Sequence, residues 1–171
     1  MSQTCDTCSK QKASLQCGLC HVDICKSCTE FLPQDQFSFL AEISDFLSHQ
    51  AYCHGCFDSK IVPEIESYNQ TMKQAHEILV YKKEQGKETR FIKRIEKPVQ
   101  VTDCADHNEA ILRLAFFAAK ANYNAIVDVT LKTRAVKEGS YHHTLWTASA
   151  VPANVQSHML MKDRSLWQNP N

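Results

Sequence analysis

Residues 5–28 read CDTCSKQKASLQCGLCHVDICKSC, and residues 53–56 read CHGC. These two stretches hold eight of the chain's nine cysteines as four Cys-x-x-Cys pairs. A Cys-x-x-Cys pair in a tight turn aims two thiolates at one point, and a structural zinc ion takes four such ligands in a tetrahedron. Four pairs therefore predict two complete four-cysteine sites, with two Zn²⁺ ions as the cofactors.

The spacing of the pairs predicts how they combine. Successive pairs are separated by eight, four and twenty-four residues. The four-residue gap between Cys20 and Cys25 is short for the second and third pairs to wrap one ion, which favours an interleaved cross-brace. A sequential arrangement, the first pair with the second and the third with the fourth, stays open. The expected ligand sets are Cys5, Cys8, Cys25 and Cys28 for the first zinc, and Cys17, Cys20, Cys53 and Cys56 for the second.

This ligand pattern resembles the zinc fingers of the FYVE/PHD class. The four-residue gap fits both types and fits RING fingers poorly, and a cysteine at position 25 is closer to FYVE, because PHD fingers normally have a His there. For residues 1–60 the resemblance implies a treble-clef fold with two cross-braced zinc ions. It also implies binding of phosphatidylinositol 3-phosphate through a basic run just before the third cysteine.

That basic run is missing from this chain. Residues 13–16 read ASLQ, and Gly18 stands where an Arg is expected. Residues 1–60 carry seven acidic side chains against four lysines, and an acidic surface repels phosphates. The resemblance therefore covers the scaffold and the metal ligands, whereas specific phosphoinositide binding and specific nucleic-acid binding are not expected.

The middle of the chain predicts two helices. Within the insert between Cys28 and Cys53, apolar residues at 39, 40, 43, 46 and 47 recur at helical spacing, so we expect one amphipathic helix there. It could pack on the zinc sites, or form a peptide groove with Phe31 or Phe37. Residues 61–88 are predicted as a connecting helix and basic linker, with Pro63 in the first turn and Gly86 as the cap. The short heptad seam of this helix leaves a coiled coil and packing against a neighbouring domain both open.

Residues 89–155 predict a second, α/β domain in the order β-α-β-β. A strand over residues 90–102, broken at Pro98, precedes a helix that begins at Asp106 with Glu109 in a capping-box position. A strand over 125–134 and another over 141–151 then form a hairpin. The expected fold is α+β: a small two-zinc finger, a long connecting helix, a sandwich-like β-α-β-β domain and a tail at 156–171.

Two stretches of this second domain are similar to the YbjQ-like family of small bacterial α/β proteins. They are AAKANYNAIV at residues 118–127 and TASAV at 147–151. The family's turn glycine is replaced by Asn122 or Tyr123, and its final glycine is missing. The resemblance implies a domain that forms rings and binds heavy metals.

No catalytic arrangement is found in the sequence, so we expect no enzyme. Cys104 and His107 have ligand-like spacing but no second pair, and His142 and His143, as neighbours on a strand, face opposite sides. His21 and His54 lie within the cysteine loops, where they could act as ligands only if a cysteine were displaced. Glu109, Asp128 and Ser140 form no known triad or carboxylate pair.

The amino-acid composition limits which other functions are expected. Lys and Arg together number 19, as do Asp and Glu, so no overall charge favours a nucleic acid or a membrane. The sequence has no apolar run long enough to span a bilayer and begins with no secretory signal, which predicts a reducing, cytoplasmic location. The expected function is a zinc-binding adaptor that recognises a protein partner and can form homo-oligomers. A ubiquitin-ligase-like finger, a phosphoinositide-binding module and heavy-metal sensing or storage are the alternatives.

Overall fold

The computed structural model describes residues 4–87 and 89–156. The chain divides into two compact units, Met1–Gln70 and Thr71–Asn171, which we call the cysteine unit and the sheet unit. The boundary falls inside a helix, some ten residues beyond the predicted end of the finger. The mixed helix and sheet content agrees with the expected α+β class. Of the predicted tail, residues 157–171 lie outside the described part of the chain.

The cysteine unit contains two short antiparallel strand pairs. Strand β1 (Leu15–Gln16) pairs with β2 (Asp23–Ile24), and β3 (Thr29–Phe31) pairs with β4 (Ala51–Cys53). Two 3₁₀ turns, Lys26–Cys28 and Asp45–Leu47, lie between these strands. The buried cluster of this unit mixes cysteines with a few apolar side chains: Cys5, Cys17, Ile24, Cys25, Leu32, Phe37, Leu47, Tyr52 and Ile61.

The predicted amphipathic helix in the insert is wrong. Residues 34–39 form turns, and the only helical element described in the insert is the 3₁₀ turn Asp45–Leu47. Phe37 is nonetheless buried and packs edge-on against Tyr68, with ring centroids 5.3 Å apart. The apolar side chains reach a small core without a regular helix, and polar residues bond locally to the backbone instead, as Ser48 does to the carbonyl of Asp45.

The connecting helix is shorter than predicted. Helical structure runs through α1 (His54–Cys56), a π-helical turn (Phe57–Ile61) and α2 (Val62–Glu77). Pro63 has no backbone N–H to donate to the carbonyl four residues earlier, and the π turn lies at that place in the helix. Ile61 is buried, and Ile65 and Tyr68 pack on the buried cluster of the cysteine unit. For these residues the heptad seam therefore packs against a neighbouring core, which was one of the two alternatives left open by the sequence.

The sheet unit contains one strand that the sequence did not predict. Residues taken as the end of the helix form β5 (Leu79–Lys82), followed by a 3₁₀ turn, Lys83–Gln85. The other strands are β6 (Val99–Cys104), β7 (Ala125–Glu138) and β8 (Tyr141–Ala153), in the sheet order β5-β7-β8-β6. Strand β5 is parallel to β7, and the other neighbours are antiparallel. The strand predicted over 90–102 is confirmed only from Val99 onward.

Helix α3 (His107–Lys120) packs against β6, β7 and β8. Its start is as predicted: the Glu109 N–H donates to Asp106 Oδ1 (2.8 Å), and the Ala105 N–H donates to Glu109 Oε2 (2.7 Å). Within the helix Leu114 and Ala118 are buried, Ile111 and Phe117 are half-buried, and Ala121 just after it is exposed. The buried positions of the helix are Ala110, Leu114, Ala115, Phe116, Ala118 and Ala119.

The end of α3 explains how the chain manages without a turn glycine. Asn122 has φ +61°, in the left-handed region that asparagine tolerates better than most residues. The Tyr123 N–H donates to the Ala118 carbonyl and the Asn122 N–H to the Ala119 carbonyl, both at 2.9 Å. These are the two bonds of a Schellman cap. Asn122 therefore takes the position of the expected glycine.

The sheet unit contains an apolar cluster of its own, beside which an ion pair forms. Ile92, Ala125, Val127, Val151, Ala153 and Val155 form it, with Leu79 and Tyr81 packed against it. Arg94 donates two hydrogen bonds to Asp128 (2.5 and 2.9 Å). It also donates to the carbonyls of Thr89 and Ile92. Arg94 thereby attaches the segment that contains Ile92 to strand β7, at the bulge around Asp128.

Candidate metal centre

The structure brings the eight cysteines of the four pairs together in two groups of four. Cys5, Cys8, Cys25 and Cys28 form one, and Cys17, Cys20, Cys53 and Cys56 form the other, with all sulfur atoms of a group within 4.8 Å of one another. The first pair thus meets the third and the second meets the fourth, which is compatible with a cross-brace. The sequential arrangement does not occur.

One sulfur separation in each group matches the distance expected around a tetrahedral metal ion. The Sγ atoms of Cys8 and Cys25 are 3.8 Å apart, and those of Cys20 and Cys53 are 3.7 Å apart. Four sulfurs at bond lengths of about 2.3 Å around one zinc ion would be about 3.8 Å from each other. A disulfide, by contrast, needs about 2.05 Å, and all nine cysteines are free. Each group can therefore hold one metal ion.

The first pair of each group lies in the same kind of loop. In the loop Cys5 to Ser9, the Ser9 N–H donates to the Cys5 carbonyl (2.8 Å), and in the loop Cys17 to His21 the His21 N–H donates to the Cys17 carbonyl (3.0 Å). Ser9 and His21 both adopt positive φ, +54° and +60°. The positive φ turns the chain back after the second cysteine, so that both thiols of the pair face the same point.

The second pair of each group lies on a helical turn. Cys25 precedes the 3₁₀ turn Lys26–Cys28, and the Cys28 N–H donates to the Cys25 carbonyl (3.0 Å). Cys53 precedes α1, so that Cys53 and Cys56 lie one turn apart at the start of the helical segment. Each site is thus built from one tight loop and one helical turn, supplied by separate parts of the sequence.

The two groups have the same electrostatic pattern. Burial raises the pKa of the Cys5 thiol, but the backbone N–H groups of Cys25, Cys8 and Thr7 lower it to about 6. Burial also raises the pKa of Cys17, and the N–H groups of Cys20, Cys53 and Leu19 lower it to about 6. In both groups the first cysteine of the loop is thus favoured as a thiolate. One of the donors to it is the N–H of the first cysteine in the partner pair.

The last cysteine of each group behaves in the opposite way. The sulfur of Cys25, followed by burial, raises the pKa of Cys28 to about 12, and burial followed by the sulfurs of Cys53, Cys20 and Cys17 raises the pKa of Cys56. Four thiolates so close together repel one another unless a cation lies between them. A divalent ion would let all four ionise, with release of the remaining protons.

One glycine is required by the packing of the second site. A Cβ at Gly18 would lie 2.4 Å from the Cβ of His49, well inside van der Waals contact. The Gly18 N–H also donates to the Ala51 carbonyl (2.9 Å), which ties the second cysteine loop to β4. The position where a FYVE finger would have an Arg therefore accepts no side chain in this fold.

A cleft adjoins the second cysteine group. It has a volume of about 620 Å³, and its apolar walls come from Leu19, Phe46 and Pro63. Cys20 and Cys56 form part of its lining, together with Ser59 and Lys60 of the π-helical turn and with Glu64. The sequence did not indicate this cleft, because its walls come from three separate segments.

The remaining candidate residues do not join a metal group. His54 is exposed and lies between the carboxylates of Glu30 and Asp58, at 3.3 and 3.2 Å, while His21 serves the backbone turn described above. Cys104 is buried in the sheet unit, where burial raises the pKa of its thiol, and the ring of His107 packs against Trp146. Among residues 4–87 and 89–156, the two cysteine groups are the only clusters found with metal-ligand geometry.

The other polar candidates have structural roles. Glu109 caps α3 and pairs with Arg113, and Asp128 binds Arg94. Ser140 follows Gly139 in the two-residue turn between β7 and β8. His142 lies opposite Lys137 and His143 opposite Val136 in the β7–β8 register, so the two histidines face opposite sides of the hairpin.

Comparisons with protein-family models, with curated proteins and with solved structures find no match for this chain. No helix among the described residues is both long enough and apolar enough to cross a bilayer.

Proposed function

We propose that the cysteine unit is a protein-interaction module of the cross-brace finger type, stabilised by two structural zinc ions, and that the sheet unit mediates self-association. The chain would then act as a non-enzymatic adaptor. The observation that carries the first part is the cleft of about 620 Å³ whose lining includes Cys20 and Cys56. Metal at the second group would fix the loop that carries Cys20 and the helical turn that carries Cys56, and with them the shape of this cleft.

The ligand set supports a structural ion rather than a catalytic one. Catalytic zinc sites have three protein ligands and leave one position for water or substrate, whereas structural sites are closed by four. Each group here offers four cysteine sulfurs and so has no open position. Thiolate ligands with the sulfur separations given above favour zinc, which would supply much of the folding free energy of such a small core.

Elemental analysis tests the metal content. Full-length protein purified under reducing conditions should contain two zinc ions per chain. Cys17→Ser should lower the content to one or less, and should make Cys20, Cys53 and Cys56 reactive to thiol reagents. Cys104→Ala, which removes the one cysteine outside the groups, should leave two ions bound. A wild-type content of one ion or none would contradict the two-site proposal.

Partner capture tests the cleft. Leu19→Lys puts a charge into its apolar wall and should abolish capture of binding proteins from a lysate, while two zinc ions stay bound. Ile43→Lys is the matched control, since Ile43 is 44% exposed and lies in the same unit but outside the lining. Equal capture by the two variants would show that the cleft is not the binding site.

A further inference from the structure

The hairpin of the sheet unit extends beyond the strands beside it. Strand β5 pairs with β7 only as far as Val129, and β6 pairs with β8 only from Trp146 onward. The β7–β8 pairing itself continues to Glu138 opposite Tyr141. Over residues 134–138 and 141–145 the sheet is therefore a two-stranded ribbon. In the described part of the chain, neither of its outer edges has a strand partner.

The two edges of this ribbon differ in charge. The β7 edge carries Arg134 and Lys137, with Lys132 just before them, and charged side chains, lysine above all, are the usual protection of an open strand edge against other strands. The β8 edge reads YHHTL from Tyr141 to Leu145 and contains no Asp, Glu, Lys or Arg. Tyr141 is 81% exposed, and the next three residues are exposed as well. One edge is thus protected and the other is open.

We propose that the β8 edge, Tyr141–Leu145, pairs antiparallel with the same edge of a second copy of this chain. This inference rests on the proposed self-association of the sheet unit and names its surface. A two-fold axis at His143 places Tyr141 opposite Leu145 of the second copy, and His142 opposite its Thr144. Strand alternation puts Tyr141, His143 and Leu145 on one face, so the pairing forms two aromatic–aliphatic pairs around a central His143 pair. Backbone hydrogen bonds between the two edges provide the rest of the contact.

The charge distribution selects a second copy over a nucleic acid. Duplex DNA admits a two-stranded ribbon in its major groove, but binding there depends on cations that contact phosphate. The β8 edge has no Lys or Arg, and Arg134 on the other strand is already paired with Asp103 at 2.7 Å. Self-pairing of the β7 edges would bring lysines and arginines together, which is unfavourable. Of the two edges, only the β8 edge is therefore suited to pair with the same edge of a second copy.

The pairing should give a weak, concentration-dependent dimer. Stable interfaces bury about 1,600 Å² in total, and a five-residue edge provides less than that. Sedimentation equilibrium of the full-length, zinc-loaded protein over a range of concentrations should show a monomer–dimer equilibrium. His143→Lys places two like charges across the axis and should raise the dissociation constant by about tenfold or more.

Ala135→Lys is the matched control for this experiment. Ala135 is exposed on the β7 edge of the same ribbon, so the added charge does not enter the proposed interface. Its dissociation constant should equal that of the wild type. Equal effects of the two lysines would overturn the β8 edge while leaving self-association intact. A monomer at all concentrations would contradict self-association altogether, and a closed ring of more than two chains would rule out two-fold pairing.

Hydrogen exchange gives a second reading that needs no variant. The backbone amides of residues 141–145 that point away from β7 should become more protected as the wild-type protein is concentrated, while those of residues 132–137 should not change. Protection of the β7 edge instead, or salt-sensitive protection only when duplex DNA is added, would overturn the proposal. None of these outcomes depends on the zinc content or on the cleft of the cysteine unit, so they test the ribbon separately from the partner-binding proposal.

Discussion

His21 ends the second cysteine loop in an unfavourable backbone conformation. Its φ of +60° lies in the left-handed region, which disfavours any residue with a Cβ. His21→Gly should therefore raise the free energy of unfolding of the cysteine unit by about 0.5–1 kcal/mol, measured by thermal melting with zinc bound. His21→Ala separates the backbone from the imidazole, since alanine keeps the Cβ and should give no such gain. Equal stabilisation by glycine and alanine would mean that the imidazole itself is unfavourable.

The Arg94–Asp128 pair predicts a pH dependence for the sheet unit. Hydrogen bonds from Arg94 lower the pKa of Asp128 in the folded protein below its unfolded pKa of about 4. The pair therefore contributes its full stability above the unfolded pKa, and this contribution is lost as the pH falls through the lower folded pKa. Asp128→Asn should cost about 1–2 kcal/mol at pH 7, because a charge-assisted bond is lost while asparagine still tolerates the φ of +56°. Denaturant titrations should show this difference disappearing near pH 2.

Asp103→Asn is the control for that measurement. Asp103 also has a positive φ, +57°, and pairs with Arg134, but the two side chains are 59% and 66% exposed. Exposed pairs contribute little, so this variant should stay within about 0.5 kcal/mol of the wild type at every pH. If both variants lose the same stability, solvent exposure does not decide the strength of these pairs.

The elements that the sequence predicted well are those whose signals are local. The start of α3 follows from Asp106 and Glu109, and the β7–β8 hairpin from alternation around Gly139. The grouping of the cysteines also followed from the sequence, because the gap between Cys20 and Cys25 limits which pairs can meet. The left-handed turn after each loop was not foreseen, since Ser9 and His21 stand where a glycine would have signalled it.

The elements that were missed depend on distant partners. Leu79 continues the heptad seam of α2, yet residues 79–82 form a strand because Leu79 and Val80 pair with Ala125 and Ile126 of β7. Alternation over four residues is too short a signal to override helical spacing on its own. In the insert, Phe37 reaches the core through turns, and no local rule specifies that path. The sequence did not indicate the role of Arg94, because its partner lies 34 positions further along the chain.

Strand β5 sets where an independent fragment of the sheet unit can begin. A fragment from residue 87 onward, close to the predicted start of the second domain at residue 89, lacks β5 and leaves β7 without its parallel neighbour. It also loses Leu79 and Tyr81, which pack against the apolar cluster of the sheet unit. A fragment from residue 71 should melt cooperatively, and one from residue 87 should be less stable by more than about 2 kcal/mol. If circular dichroism shows that the two fragments melt at the same temperature, β5 adds nothing to the core.

At the scale of the whole chain, the two units draw on different sources of stability. Three of the nine residues in the buried cluster of the cysteine unit are cysteines of the metal groups. The sheet unit has no cysteine of those groups, and its buried residues include the apolar side of α3 and the cluster around Val127 and Val151. Metal should therefore be essential to the first unit and irrelevant to the second, even though α2 runs through the boundary between them.

Chelation of the full-length protein tests this difference. The chain has two tryptophans, Trp146 in β8 and Trp167, so a Trp167→Phe variant reports on the sheet unit alone by its fluorescence. A strong zinc chelator should abolish the thermal transition of the cysteine unit, seen as exposure of its thiols. The Trp146 transition should keep its midpoint, because the half-buried indole packs on His107 within a core that holds no metal ligand. Loss of both transitions together on chelation would show instead that α2 couples the folding of the two units.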